Sequence, residues 1–167
     1  MTEVLPLSPD HSGERKFIAD VHLGRLAKYL RLCGFDTLYG MSLADREIID
    51  LSFKENRIIL SRDKELLQNR HVIQSYRIMS AEPVEQLKEV LNRFDLINNL
   101  HPFTRCMICN GEVARVIKEE IDQALQPKTR NYYNEFKKCI SCGKIYWEGS
   151  HYERMKKFVD SLVTNNQ

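Results

Sequence analysis

The chain has 167 residues, of which 43% are hydrophobic and 29% are charged, and its formal net charge is +2. This composition excludes an intrinsically disordered chain, and the length fits one domain or one domain with a small added unit. No apolar run approaches the ~20 residues that span a bilayer, and residues 1–16 carry neither a signal-peptide nor a transit-peptide pattern. We therefore expect a cytoplasmic protein that does not enter a membrane.

Predicted strands and helices alternate over the first hundred residues. Residues 1–15 form a predicted flexible tail, because prolines, serines and a glycine interrupt any periodic pattern. Apolar runs and helical spacing predict strands at 17–19, 36–39, 57–61 and 71–75, and helices at about 23–33, 45–55, 64–69 and 82–95. This alternation indicates an α/β fold with a parallel sheet flanked by helices.

The alternation stops near residue 100, where asparagines and a proline mark a boundary. Residues 16–100 are therefore predicted as one domain, and residues 101–149 as a second, smaller unit. Ser150 begins a pattern typical of a helix N-terminus, so residues 150–167 are predicted as a C-terminal helix. Cys33 lies on the apolar face of the first predicted helix, where we expect it to fill the core.

The other four cysteines form two C-x2-C pairs separated by 29 residues: Cys106 with Cys109, and Cys139 with Cys142. Two such turns can direct four sulfurs at one ion, so the spacing predicts a structural zinc site with no open coordination position. Gly111 and Gly143 follow the pairs and are expected to supply the positive φ that these turns often use. The alternatives are two disulfides, which a reducing cytosol disfavours, or a redox pair. We expect the gap between the pairs to hold strands or a loop.

Carboxylates follow two of the predicted strands. Asp20 ends the first strand and Asp63 follows the third, and these strands are often neighbours in parallel sheets, so the two side chains are expected to lie close together. A third acid is expected from the second helix, where Asp45, Glu47 and Asp50 are candidates. Such oxygen ligands suit Mg²⁺ or Mn²⁺, which activate water and stabilise phosphodiester transition states. The alternative is that each acid caps the helix that follows it.

Basic residues lie next to these acids in the sequence. Arg25 and Lys28 are three residues apart on the first predicted helix, and Arg62 directly precedes Asp63. We expect the three cations to bind substrate phosphates. The alternative is a solvated helix face with ordinary ion pairs.

A second basic region spans residues 128–157, where eight lysines and arginines stand against three acids. Six aromatic residues share this stretch: Tyr132, Tyr133, Phe136, Tyr146, Trp147 and Tyr152. Basic charge attracts phosphates and exposed rings stack on unpaired bases, so contact with RNA or DNA is predicted. The alternative is a solvated face over a small core.

Several short sequence segments, taken together, form a recognisable set. In the first domain they are FIAD, LGRLAKYLR, GFDT, DREII and ILSRD, at residues 17–20, 23–31, 34–37, 45–49 and 59–63. Towards the C-terminus they are PFTRC, YW and GSHY, at residues 102–106, 146–147 and 149–152. Together these segments resemble the Mut-seven C-terminal RNase domain family over about residues 16–156. The chain has Ser61 where the family usually has threonine, which keeps a hydroxyl at that position.

The resemblance implies a PIN-like nuclease fold, a small zinc ribbon and metal-dependent hydrolysis of RNA, as an endoribonuclease. It implies that Asp20 and Asp63, with Asp45 as the further acid, hold Mg²⁺ or Mn²⁺. We add Glu47 as a reserve candidate on the same helix. We expect the ribbon and the last helix to position the RNA through Lys137, Lys138, Trp147, His151 and Arg154. The competing hypothesis is a non-catalytic zinc-ribbon protein that binds RNA or a ribonucleoprotein and whose acids only cap helices.

Overall fold

The computed structural model describes residues 15–164, so the predicted tail lies outside the described residues except for Arg15. The strands in this range are β1 Lys16–Ala19, β2 Thr37–Tyr39, β3 Arg57–Ser61, β4 Ser75–Arg77, β5 Val113–Val116, β6 Phe136–Cys139 and β7 Ile145–Trp147. The α-helices are α1 Gly24–Leu32, α2 Asp45–Glu55, α3 Lys64–Leu67, α4 Pro83–Arg93, α5 Lys118–Ile121, α6 Pro127–Tyr132 and α7 Ser150–Thr164. A 3-10 turn at Val21–Leu23 connects β1 to α1.

The first four strands form one parallel sheet with the order β2-β1-β3-β4. Phe17 and Ala19 pack in the core beneath α1 and α4, whereas Ile18 and Ile59 pack beneath α2 and α3. Because helices cover both faces, the central strands carry almost continuous apolar sequence. The predicted α/β class, with its helix-flanked parallel sheet, is confirmed. Cys33 is fully buried in the first of these clusters, as expected.

The fourth strand begins at Ser75, so the predicted position at residues 71–75 is wrong. A turn occupies the preceding residues. The Asn69 side chain accepts a hydrogen bond from the His71 amide at 3.0 Å, and the Asn69 carbonyl accepts one from Val72 at 3.0 Å. An asparagine that bonds the backbone two residues ahead favours a turn over an extended strand.

The second sheet is antiparallel, with the order β5-β6-β7. The connection between β5 and β6 contains the short helices α5 and α6, where only strands or a loop were expected. Helices of four to six residues show too little periodicity to be recognised in the sequence. Pro127 is at the first position of α6, a place where its missing N–H carries no cost.

The last helix packs back onto the first domain. The rings of Tyr29 in α1 and Phe158 in α7 lie 5.1 Å apart, and Leu162 belongs to the buried cluster beneath α1 and α4. Near its start, Tyr152 contacts Phe103 at a ring separation of 4.3 Å. The helix therefore links the second sheet to the core of the first. Within residues 15–164, no helix is both long enough and apolar enough to cross a membrane.

Candidate functional site

Two acids lie at the carboxyl end of the parallel sheet. Asp20 directly follows β1 and Asp63 follows β3 by two residues, and Ala19 is paired with Leu60, so these ends are neighbours. The chain passes from β1 to β2 on one side and then places β3 on the other side. The carboxyl ends of β1 and β3 therefore flank a topological switch point, which is where ligands bind in open α/β sheets.

The Ser61 hydroxyl connects the two acids. It donates a hydrogen bond to one carboxylate oxygen of Asp20 and accepts one from the Asp63 amide at 2.9 Å. The other Asp20 oxygen accepts from the His22 amide at 2.7 Å, and an Asp63 oxygen accepts from the Glu65 amide at 2.8 Å. Both acids therefore do cap the turns that follow them, and the Ser61 bridge holds them in one hydrogen-bonded unit. Asp20 is only 4% exposed, whereas Asp63 is exposed.

The third predicted acid lies on the first turn of α2, where Asp45 and Glu47 are both exposed. A Glu47 oxygen accepts a hydrogen bond from the Ala44 amide at 2.8 Å, so Glu47 caps this helix and Asp45 does not. Among residues 15–164, the acids do not form a group of three whose oxygens could reach one ion. Asp20, Asp45 and Asp63 thus share the carboxyl side of the sheet without meeting as a compact three-carboxylate cluster.

The predicted phosphate-binding cations are exposed. Arg25 and Lys28 lie on the first half of α1, and Arg62 lies between Ser61 and Asp63. Because α1 starts next to the turn that Asp20 caps, its first residues are on the same side of the sheet as the acids. Positive charge therefore lies close to the acidic positions.

The four paired cysteines converge in the second sheet. The sulfurs of Cys106, Cys109, Cys139 and Cys142 all lie within 4.8 Å of one another. The Gly111 amide points at the Cys109 sulfur at 3.4 Å, and the Cys142 amide points at the Cys139 sulfur at 3.5 Å. Four sulfurs at this spacing, stabilised by backbone N–H donors, match the tetrahedral thiolate set of a structural zinc site.

The glycines beside the cysteines have different roles. Gly143 has φ +76°, as expected. At the first pair the prediction for Gly111 is wrong, because Asn110 adopts the positive φ of 70°. Gly111 is needed for space instead, since a Cβ there would lie 2.9 Å from the Cys139 sulfur.

The protonation of the sulfurs is uneven. Burial alone would raise the pKa of Cys106, but hydrogen bonds from the Tyr146 hydroxyl at 3.0 Å and from backbone amides bring that pKa to about 7. Burial and the neighbouring thiols raise the pKa of Cys109 to about 12. Metal binding requires thiolates, so this cluster should release protons as it takes up zinc.

The first cysteine pair is fastened to the amino end of the parallel sheet by Arg31. Its buried guanidinium donates to the Thr37 carbonyl at 2.8 Å and to the Met107 and Ile108 carbonyls at 3.1 and 3.2 Å. Met107 and Ile108 are the two residues between Cys106 and Cys109. One side chain of the first domain therefore holds the turn that carries two metal ligands.

Asn110 makes the reciprocal contact. Its side-chain oxygen accepts from the Thr37 amide at 2.9 Å, and its nitrogen donates to Asp36 at 2.7 Å. Arg57 donates to the same Asp36 oxygen at 2.6 Å. Burial opposes ionisation, but these hydrogen bonds lower the pKa of Asp36. This network could not be predicted from the sequence, because its members are isolated polar residues with no spacing pattern.

A cleft of about 1070 Å³ lies between the second sheet, α6 and the start of α7. Of the five residues predicted to position RNA, Lys137, Trp147 and His151 line it, whereas Lys138 and Arg154 are exposed outside its lining. Arg154 instead approaches His151 at 3.4 Å.

These features define a two-part protein, in which an α/β domain has acids at its switch point and a small sheet gathers four cysteines that could bind a metal ion. The sequence model of the Mut7-C RNAse domain family matches residues 15–159, and the chain belongs to that family. No curated protein and no solved structure matches the chain. Membership of this family indicates a nuclease-like role.

Proposed function

We propose that the protein hydrolyses RNA phosphodiester bonds with the help of Mg²⁺ or Mn²⁺ at the carboxyl end of the parallel sheet. The observation that carries this proposal is the joining of Asp20 and Asp63 through Ser61 at the switch point. Membership of an RNase domain family supports the substrate class. The cytoplasm is the compartment that we expect for this activity.

Asp20 and Asp63 would hold the divalent cation. Magnesium keeps several waters and is usually bound by one or two carboxylates together with substrate phosphates, so two joined acids fit it without a third. Asp45 is the candidate for a further contact, whereas Glu47 is engaged in capping α2. A bound cation supplies activation of water and neutralisation of the phosphate charge.

The remaining residues of this end would orient the substrate. Arg25, Lys28 and Arg62 are exposed and can bind phosphate oxygens on either side of the scissile bond. Asp20 is buried and both of its carboxylate oxygens accept hydrogen bonds. These bonds hold the carboxylate in one orientation. The cysteine site would hold a structural zinc, and RNA would also contact the cations and rings near it, including Lys138 and Arg154.

Replacement of Asp20 by asparagine tests the proposal. Asp20→Asn keeps the size and one oxygen acceptor but removes the charge, so cleavage of a labelled RNA with Mn²⁺ should fall by at least ~100-fold while folding is kept. Asp95→Asn is the matched control, because Asp95 is exposed and has a positive φ that asparagine tolerates. Equal cleavage by wild type and Asp20→Asn would refute the assignment.

A second candidate function is RNA binding without hydrolysis. It is favoured by one observation, namely that Asp20 and Asp63 both cap turns and that no compact three-acid group occurs within residues 15–164. Titration with Mn²⁺, followed by electron paramagnetic resonance, separates the candidates. The nuclease should bind Mn²⁺ and lose that binding in Asp63→Ala, whereas the binding protein should show no site that depends on Asp63.

A further inference from the structure

The cleft beside the second sheet is lined by residues of β7, α6 and the start of α7. Its volume is about 1070 Å³, and a neighbouring cavity of about 570 Å³ shares Thr129, Lys144 and Trp147 with it. We refer to these two adjoining cavities together as the ribbon groove.

Aromatic rings line the groove without being fully buried. Tyr133 and Trp147 form one pair with ring centroids 6.4 Å apart, and Phe103 and Tyr152 form another at 4.3 Å. Tyr132 is 80% exposed and Trp147 is 37% exposed. Exposed rings in a recess are stacking surfaces for nucleobases, since every base offers a flat face regardless of sequence.

The charge of the groove complements a polyanion. Four of its lining cations are Arg115, Lys128, Lys137 and Lys144, and none of them forms an ion pair within residues 15–164. Three acids, Glu119, Glu135 and Glu148, also line the groove and leave it with net positive charge. Cations that are not neutralised by the protein are available to replace the counterions of phosphates.

We propose that the ribbon groove binds single-stranded RNA, by stacking bases on its rings and pairing phosphates with its cations. The inference deepens the proposed function, on which its choice of RNA rests. Single strands are favoured over duplexes because bases in a duplex are already stacked on each other and cannot reach the rings. A recessed surface with both rings and unpaired cations also fits a nucleic acid better than a neutral apolar peptide.

The groove and the acids lie at opposite ends of α1. Leu32, the last residue of that helix, lines the groove, whereas Gly24, its first residue, follows the turn that Asp20 caps. Nine residues at ~1.5 Å each place the two sites on the order of 12 Å apart. A strand that occupies the groove must therefore extend beyond it to reach the acids. An oligonucleotide that only fills the groove should therefore bind without being cleaved.

Binding can be measured on the zinc-loaded full chain carrying Asp20→Asn, so that RNA is not consumed. Fluorescence anisotropy with labelled oligouridylates of 4, 8 and 16 nucleotides should show affinity that rises with length, and a 16-base-pair RNA duplex should bind at least ~10-fold more weakly than the 16-mer. The chain has a single tryptophan, so stacking on Trp147 should also quench its intrinsic fluorescence.

Variants locate the binding surface. Trp147→Ala and Tyr132→Ala should each weaken binding of the 16-mer by about 5- to 150-fold. Lys128→Gln combined with Lys144→Gln should lower the slope of log affinity against log salt by about 1.4. The matched control variants, Phe53→Ala and Lys54→Gln, lie on α2. Phe53 is 70% exposed and Lys54 is an exposed cation outside the groove, so neither substitution should change binding.

Two results would overturn the inference. The first is that the RNA duplex binds as tightly as the single-stranded 16-mer, or more tightly. The second is that Trp147→Ala and Tyr132→Ala bind the 16-mer with the same affinity as the control Phe53→Ala, in which case the groove would be assigned to a protein ligand. Zinc content and circular dichroism establish that each variant is folded. If the 16-mer binds as expected and the wild type still fails to cleave it, the groove stands and the proposed hydrolysis fails, so the two proposals are separable.

Discussion

The aspartates at the two ends of the parallel sheet differ in their charged partners. At the amino end, Asp36 is enclosed by Arg57 and Asn110, so its charge is neutralised within the protein. At the carboxyl end, neither Asp20 nor Asp63 forms an ion pair within residues 15–164. Buried charge is normally paired or bound to a cation, so the unpaired and buried Asp20 supports the proposed cation site at the carboxyl end.

The largest expected effect comes from removing zinc at the amino end. A structural zinc contributes about 10–16 kcal/mol of apparent binding free energy, which matches or exceeds the ~5–15 kcal/mol stability of a whole domain. Chelation, or the variant Cys139→Ser, should therefore unfold residues from about 103 to 149. Because Arg31 and Asn110 join this region to β2, hydrogen exchange should also lose protection at the Thr37 amide.

Circular dichroism, zinc stoichiometry and hydrogen exchange measure this outcome together. Cys33→Ala is the control, since Cys33 is buried in the core away from the cysteine cluster and should leave one zinc per chain. Unchanged spectra after complete removal of zinc would contradict the structural role. Loss of structure in residues 103–149 with full protection of the Thr37 amide would show that this region is not coupled to the parallel sheet.

The next largest effect concerns Asp36. Removing one member of a buried ion pair leaves the other charge without a partner, so Asp36→Leu should cost about 3–5 kcal/mol of unfolding free energy, measured by urea denaturation. Because the pKa of Asp36 is lowered in the folded state, its contribution is present above the ordinary aspartate pKa. The contribution is lost as the pH falls through the folded value.

The sign of that pH dependence provides the check. The difference in stability between wild type and Asp36→Leu should be largest near neutral pH and should shrink on acidification. A constant difference across the acid range would mean that the carboxylate charge of Asp36 does not stabilise the fold. Lys88→Leu breaks the exposed pair with Glu85 and should cost no more than ~1 kcal/mol.

Features that depend on residues close together in the sequence could be predicted, whereas contacts between distant residues could not. The apolar runs of β1 and β3 and the spacing of the four cysteines are local signals, and both were interpreted correctly. Asp20 and Asp63 could be placed on adjacent strands because topology is restricted in parallel sheets. The Asn69 turn displaced β4, since a local hydrogen bond competed with extended backbone.

The docking of the two parts could not be predicted. Arg31 bonds to Met107, 76 residues away, and Asn110 bonds to Asp36, 74 residues away. No periodicity connects such residues, and polar side chains in isolation suggest solvent exposure. The same limit applies to Ser61, because the sequence shows that a hydroxyl is present but not that it contacts both Asp20 and Asp63.

The smallest of the three effects expected at the two ends of the sheet is at Ser61, which links Asp20 and Asp63. Ser61→Ala removes the donor to the buried Asp20 and the acceptor of the partly buried Asp63 amide, which should cost about 1–3 kcal/mol of stability. Ser61→Thr keeps the hydroxyl and should retain the bridge, so the pair of variants isolates the oxygen. If the bridge aligns the acids for a cation, Ser61→Ala should also weaken Mn²⁺ binding, whereas a purely structural role predicts lower stability with unchanged Mn²⁺ affinity. Thermal melts and Mn²⁺ titration on the same samples thus decide whether the carboxyl end of the sheet is organised for a ligand or only capped like an ordinary helix start.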